Sequence, residues 1–202
     1  MSAKQRGNRV QDMAASYKTP SRAFTYADYL LLPDNGHRYQ ILRGELIMSP
    51  APETVHQRIS LKLIFAIGRF LEGHPIDQLL HAPVDVVLSE VNVLQPDIVI
   101  IRNERQSIIK EANIQGAPDW VIEILSPSTE TYDRQTKKEI YAEFGVKEYW
   151  IVHPNEQWIE KCVLKDAGFE TTAMLERTGQ LNADCLPGFT LTWQDVFPVE
   201  VK

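Results

Sequence analysis

The stretch "GAPDWVIEILSPST", residues 116–129, sets a carboxylate, Glu123, inside a run that otherwise reads as a buried strand, Val121-Ile122-Glu123-Ile124-Leu125. An unpaired ionised carboxylate within a packed sheet costs several kcal/mol, so the fold has to supply a base, a hydrogen-bond network or a metal ion beside it. That partner has to come from elsewhere in the chain.

With 202 residues, 44% hydrophobic and 24% charged, the composition is that of a soluble globular protein with enough length for one good-sized core. No apolar run approaches the roughly 20 residues that span a bilayer, and "MSAKQRGNRVQDMAASYK" lacks the apolar stretch of a secretory signal. The expected location is cytoplasmic, with no membrane partner. Cys162 and Cys185 form no CxxC pair and sit beside no histidine cluster, so they read as two reduced structural thiols rather than a zinc site. A net charge of -6 argues against coating nucleic acid by bulk electrostatics and leaves room for a local basic groove.

Residues 1–22 are polar and carry no apolar period, which predicts a mobile arm ahead of a single domain over 23–202. A short helix is expected after Thr25, stopped by Pro33, then a turn at Asp34-Asn35-Gly36 and a hairpin pairing Tyr39–Leu42 with Glu45–Met48 across Gly44. From His56 to Leu71, Ile59, Leu63, Ala66, Ile67 and Phe70 recur at helical spacing, with Arg58, Lys62 and Arg69 on another side. Those three cations read as a solvated face or as a groove for phosphates. Strands are expected at 84–88, 96–101 and 119–125, then a helix from about Asp133 to Phe144 ended by Gly145, then a strand over 148–153. "WIEKCVL" and the tail add a further strand and a short closing element. The order is helix, three strands, helix, strand.

Asp119 shares a strand face with Glu123 by the period of two, but four residues of strand span about 13 Å, too far for one small cation. It reads as the residue that starts the strand and caps its loop. Asp97 is better placed. If the strands beginning at 97 and 119 pair antiparallel, the start of one lies beside the end of the other, and Asp97 converges with Glu123 across the pair. Two carboxylates so close repel unless a proton or a cation lies between them, and oxygen-rich sites suit Mg²⁺ or Mn²⁺. On the following helix Lys137 precedes Ile140, Tyr141 and Phe144 by three, four and seven residues and so points to the packed side, whereas Lys138 and Glu139 should be solvated. A buried Lys137–Glu123 salt bridge accounts for two of these residues with no chemistry at all. A metal-plus-lysine site accounts for Asp97 as well, since lysine can position or deprotonate a metal-bound water.

"GELI" (44–47), "VHQRI" (55–59), "QPDIVII" (95–101), "GAPDWVIEILSPST", "DRQTKKEIYAEFGVKEYWIVHP" (133–154) and "LPGFTLTWQDVF" (186–197) together resemble the Uma-two family of putative restriction endonucleases, part of the PD-(D/E)xK nuclease superfamily, over residues 25–198. The resemblance implies an α/β, restriction-endonuclease-like core: a mixed β-sheet flanked by helices in the order α-β-β-β-α-β, with an N-terminal hairpin and C-terminal additions. Carried over residue by residue, Asp97 is the motif's aspartate and Glu123 its second acid, both expected to bind Mg²⁺ or Mn²⁺. The superfamily's usual lysine position falls on Leu125, and in this group the lysine of "DRxxK" takes over, here Lys137. Glu45 matches a family carboxylate, which makes it either a neighbour of the metal or a solvated hairpin charge. His56 reads as an N-terminal helix cap or as a contact to a metal-binding group or a phosphate, and His153 as a strand-end residue without chemistry.

What the resemblance implies is an endonuclease that hydrolyses phosphodiester bonds of nucleic acid, DNA in first place, by attack of a metal-activated water. Lys137 would orient that water or stabilise charge on the scissile phosphate. A homodimer is expected because cutting both strands of a duplex needs two sites. Two other classes stay open: a non-catalytic nucleic-acid- or protein-binding module that keeps the fold, and a metal-dependent hydrolase with a non-nucleic substrate.

Overall fold

Residues 97 and 123 meet because two strands far apart in sequence lie side by side at the centre of a mixed sheet. The computed structural model describes residues 22–33, 35–74 and 77–197. The expected arm falls outside them except for Arg22, as do Asp34 of the expected turn and residues 198–202. The order runs α1 (Tyr26–Tyr29), β1 (Arg38–Leu42), β2 (Glu45–Ser49), α2 (Thr54–Gly73), β3 (Asp77–His81), β4 (Val86–Ser89), β5 (Asn92–Leu94) and β6 (Ile98–Arg102). A 3-10 turn (Asn103–Ile108), β7 (Ile114–Gln115), β8 (Trp120–Ile124), a π-helical turn (Tyr132–Lys137) and α3 (Lys138–Glu143) follow. The chain closes with β9 (Glu148–His153), β10 (Trp158–Lys165), β11 (Gly168–Glu176), β12 (Gln180–Asn182), β13 (Thr190–Thr192) and α4 (Trp193–Val196).

The central sheet has the strand order β11-β10-β9-β8-β6-β3, with β8 and β9 parallel and every other neighbouring pair antiparallel. Helix, three strands, helix, strand is therefore the order of its core, α2-β3-β6-β8-α3-β9. The first of the three strands differs from the sequence reading. It is "DQLLH", which pairs with β6, while the expected strand at 84–88 begins at Val86 and belongs to a second sheet of order β2-β1-β5-β4-β7. An edge strand with polar ends, as in "DQLLH", alternates too weakly to stand out in the sequence.

Both faces of the central sheet are buried, which is why β6 and, apart from Glu123, β8 read as nearly continuous apolar runs. Ile98, Ile100, Trp120, Ile122 and Ile124 face Ile59, Leu63 and Ile67 of α2 and the C-terminal residues Leu186, Phe189, Leu191 and Phe197. Val99, Ile101, Val121 and Leu125 face Ile140 and Tyr141 of α3 together with Leu42, Val86, Leu94 and Ile114 of the second sheet. Glu123 lies on this second face by parity. The β1–β2 turn uses two residues of positive φ, Arg43 (51°) and Gly44 (80°), the tight hairpin geometry that glycine favours. A Cβ on Gly44 would come within 2.5 Å of Ala23 Cβ, so a second constraint fixes glycine there.

The helix that carries Lys137 opens with a π-helical turn and continues as α3 to Glu143, with Gly145 at φ 82° beyond it. Lys138 is half-buried and paired with Glu160 at 3.3 Å, where the sequence predicts a solvated lysine; β10 runs close enough to supply the acid. Glu139 is exposed as expected. Cys162 and Cys185 are free, buried thiols. Among the described residues no helix is long and apolar enough to cross a membrane.

Asp119 is fully buried and accepts from the Arg102 backbone N–H at 3.0 Å, Arg105 Nη1 at 2.8 Å and Lys147 Nζ at 2.9 Å. It ties the start of β8 to the end of β6 and the start of β9, the structural part expected of it. Burial alone would raise its pKa, but the Arg102 N–H, Lys147 and Arg105 outweigh burial and hold it below the usual range. A depressed carboxylate stabilises the fold above its unfolded pKa, and that contribution is lost as pH falls through the folded value. Asp119→Asn should therefore lose about 1–3 kcal/mol at neutral pH. Urea unfolding of parent and variant should show the gap narrowing below about pH 4.

Candidate active site

The β6–β8 register pairs Ile98 with Ile122 and Val99 with Val121, which extends to Asp97 opposite Glu123 on one face of the sheet. Asp97 is 7% exposed and Glu123 2%. Asp97 Oδ2 accepts the Ile124 N–H at 2.8 Å, so the carboxylate is clamped to the neighbouring strand's backbone, and it meets His56 Nε2 at 3.1 Å. Glu123 Oε1 accepts from Lys137 Nζ at 2.9 Å and from the Tyr141 hydroxyl at 2.8 Å. No donor among the described residues meets Oε2.

Lys137 is 3% exposed, so its ammonium is as deeply placed as the acids it serves. Its Nζ also stands 2.8 Å from Asp133 Oδ1, an ion pair without hydrogen-bond alignment. Asp133, Lys137 and Tyr141 follow one another at four-residue steps, which brings all three to the sheet on one helix side. Thr129 Oγ1 donates to Asp133 Oδ2 at 2.7 Å and the Tyr149 hydroxyl donates to the Asp133 carbonyl at 2.9 Å, which anchors the turn carrying the lysine.

Two buried carboxylates, Glu123 and Asp133, thus share one buried ammonium, and Asp97 is a third buried carboxylate across the strand pair. Burial pushes the Glu123 carboxyl well above its ordinary range; Lys137 opposes that shift, while Asp133 and Asp97 add to it. Burial would depress the Lys137 ammonium, but Asp133 and Glu123 outweigh it and hold the pKa above the ordinary lysine value. Those two acids thus favour the charged form of Lys137. The surplus of negative charge is what a divalent ion or a proton would compensate. Among the described residues no group of three or more His, Cys, Asp or Glu is arranged to hold a metal. An ion here would rest on the carboxylates of Asp97 and Glu123 with water completing its shell, a habit of Mg²⁺, and the donor set of hard oxygens fits it.

Asp97, Glu123, Lys137 and His56 all line one cleft of about 570 Å³. Its walls come from β1 (Arg38, Gln40), the segment 49–53, α2, Gln95, the loop Ser126–Thr129 and the π-helical turn. A larger hollow of about 790 Å³ between α3 and the β10–β11 hairpin contains none of the three buried carboxylates. Glu45 is exposed at the start of β2 and is not in the cleft lining. His56 is not a helix cap: α2 begins at Thr54 after Glu53, and His56, 7% exposed, contacts Asp97 while its Nδ1 has no partner among the described residues. His153 ends β9 against Trp158, outside the cleft.

Sequence reasoning missed Asp133, Tyr141 and Arg38. Asp133 and Tyr141 were legible in principle, because both stand four residues from Lys137. Arg38, half-buried in the cleft and without an ion-pair partner among the described residues, is brought there by the hairpin, and no local pattern marks it.

The model of the Uma2 (Uma-two) family, described as "Putative restriction endonuclease", matches residues 26–194. Among solved structures, a "putative nuclease belonging to DUF820" from Anabaena variabilis is similar, with a TM-score of 0.72 at 21% identity over 86% of this chain and 97% of that one. At that identity the likeness shows the fold alone. No curated protein matches. With the match covering most of its length, the chain belongs to the Uma2 family of putative restriction endonucleases.

Proposed function

We propose that this protein is a Mg²⁺- or Mn²⁺-dependent endonuclease that hydrolyses phosphodiester bonds of nucleic acid, DNA in first place. The observation that carries the reading is the meeting of Asp97 and Glu123 across β6 and β8 with the Lys137 ammonium beside them in one open cleft. The name of the family and the printed title of the similar fold support it.

Asp97 is aimed by the Ile124 N–H and His56, and Glu123 by Lys137 and Tyr141, so each acid is oriented by two donors before any ligand arrives. Such fixed orientation avoids reorganisation during the reaction. A bound divalent ion supplies Lewis acidity and lowers the pKa of water toward neutrality. Lys137 holds positive charge near the reacting phosphate, and Arg38 offers a second cation in the same cleft. Deep pairing of Lys137 with two acids equally suits a non-catalytic module, and calorimetry separates the two readings because only the enzyme needs the divalent ion.

Asp97→Asn and Glu123→Gln keep the shape of the site and remove its charge. Both variants should fold as the parent does by circular dichroism and lose Mg²⁺ or Mn²⁺ binding by titration calorimetry. Parent-like binding in both would sink the site assignment. Cleavage of supercoiled plasmid, single-stranded DNA and RNA by the parent should require the divalent ion.

Lys137→Ala should abolish cleavage and retain ion binding, at a stability cost of about 3–5 kcal/mol because two buried acids lose their cation. Leu125 is buried on the Glu123 face about 7 Å along the strand, where a lysine reaches the same region. Adding Leu125→Lys to Lys137→Ala should restore part of the activity in the plasmid assay. Full activity in Lys137→Ala alone would end the role given to this lysine.

A further inference from the structure

Helix α2 buries one stripe, Ile59, Leu63 and Ile67, and presents another to solvent. The outer stripe is Arg58, Leu61, Phe65, Gly68 and Glu72, spaced three, four, three and four residues apart. This is the seam that one helix offers to another. Leu61 is 52% and Phe65 62% exposed, an uncovered apolar centre on a long rigid helix. Arg58 and Glu72 form no ion pair among the described residues, although each has solvent on its side.

Gly68 adds a second observation. A Cβ there would meet only the Leu79 side chain at 3.8 Å, an ordinary contact, so nothing inside the chain requires glycine. Glycine within a helix is destabilising relative to alanine. Here it opens a hollow of about 400 Å³ beside Phe65, Glu72 and Leu79.

The stripe is complementary to itself. In an antiparallel pair of α2 helices with a two-fold axis at Phe65, position 58 of one copy falls opposite position 72 of the other. Arg58 then meets Glu72 twice, once at each end. Long helical side chains lean toward their own N-terminus, so the Phe65 ring of one copy leans toward the C-terminal side of the other, which is where Gly68 leaves its hollow.

We propose that α2 is a homodimer interface, in which a second copy of this chain packs antiparallel over Leu61, Phe65 and Gly68 with Arg58–Glu72 pairs at both ends. His56 lies two residues from Arg58 and about 200° around the helix, so the cleft faces away from this seam and stays open. The interface does not depend on the chemistry assigned to the cleft.

Sedimentation equilibrium of the full chain tests it. The parent should show a monomer–dimer equilibrium. Phe65→Glu, Arg58→Glu and Glu72→Arg should each weaken the dimer about tenfold or more, because every change counts twice across the two-fold axis. The double variant Arg58→Glu/Glu72→Arg should recover the dimer by exchanging the charges of both pairs. All three substitutions sit on exposed helix surface, and unchanged circular dichroism confirms the fold of each variant. A parent that stays monomeric leaves the face to another partner and overturns the proposal. So does a dimer indifferent to the single reversals, or a double variant no better than either single.

Discussion

The antiparallel register of β6 against β8 is the constraint on which the rest depends. Ile98 and Ile100 enter one core while Val99 and Ile101 enter the other, and β8 divides its residues the same way. A slip of one residue would turn both sets to the wrong face at once. The register that keeps both cores filled is also the one that sets Asp97 opposite Glu123. Packing, the stronger and less specific force, thereby fixes the geometry of the polar site, and Asp119 locks the far end of the same strands through Arg102, Arg105 and Lys147.

Charge placement follows from that geometry. Two buried acids on one ammonium with a third acid across the strand pair form an arrangement that folding alone does not favour, since a single well-packed apolar cluster would be no less stable. Glu123 carries most of the strain, because burial, Asp133 and Asp97 all act against its ionised form and Lys137 only partly relieves it. The cleft that leads to this site is walled by the β1–β2 hairpin, and the Gln95 N–H donating to Gln40 Oε1 at 3.0 Å ties that wall to the segment just ahead of Asp97.

The two stripes of α2 show how one helix serves two purposes. Its inner residues hold the central sheet, and His56 at its first turn steadies Asp97. Its outer residues Leu61 and Phe65 stay largely exposed, and the glycine among them lowers helix propensity without an internal reason. Features that the monomer does not need point to a contact beyond it.

Local pattern determined a good deal. The run 119–125, the amphipathic period of α2 and the spacing of Lys137 from Ile140, Tyr141 and Phe144 each follow from side chains a few residues apart, and all three survive in the structure. The buried charge at Glu123 was itself enough to demand a partner. What only tertiary structure decided is whatever joins distant segments: that "DQLLH" and not residues 84–88 completes the central sheet, that Asp133 shares the lysine, that Arg38 reaches the cleft, and that His56 meets Asp97 rather than capping its helix. The reason is physical. Periodicity reports which face of an element is buried, but which other element covers that face depends on how loops route the chain, and loops leave little trace in the hydrophobic pattern.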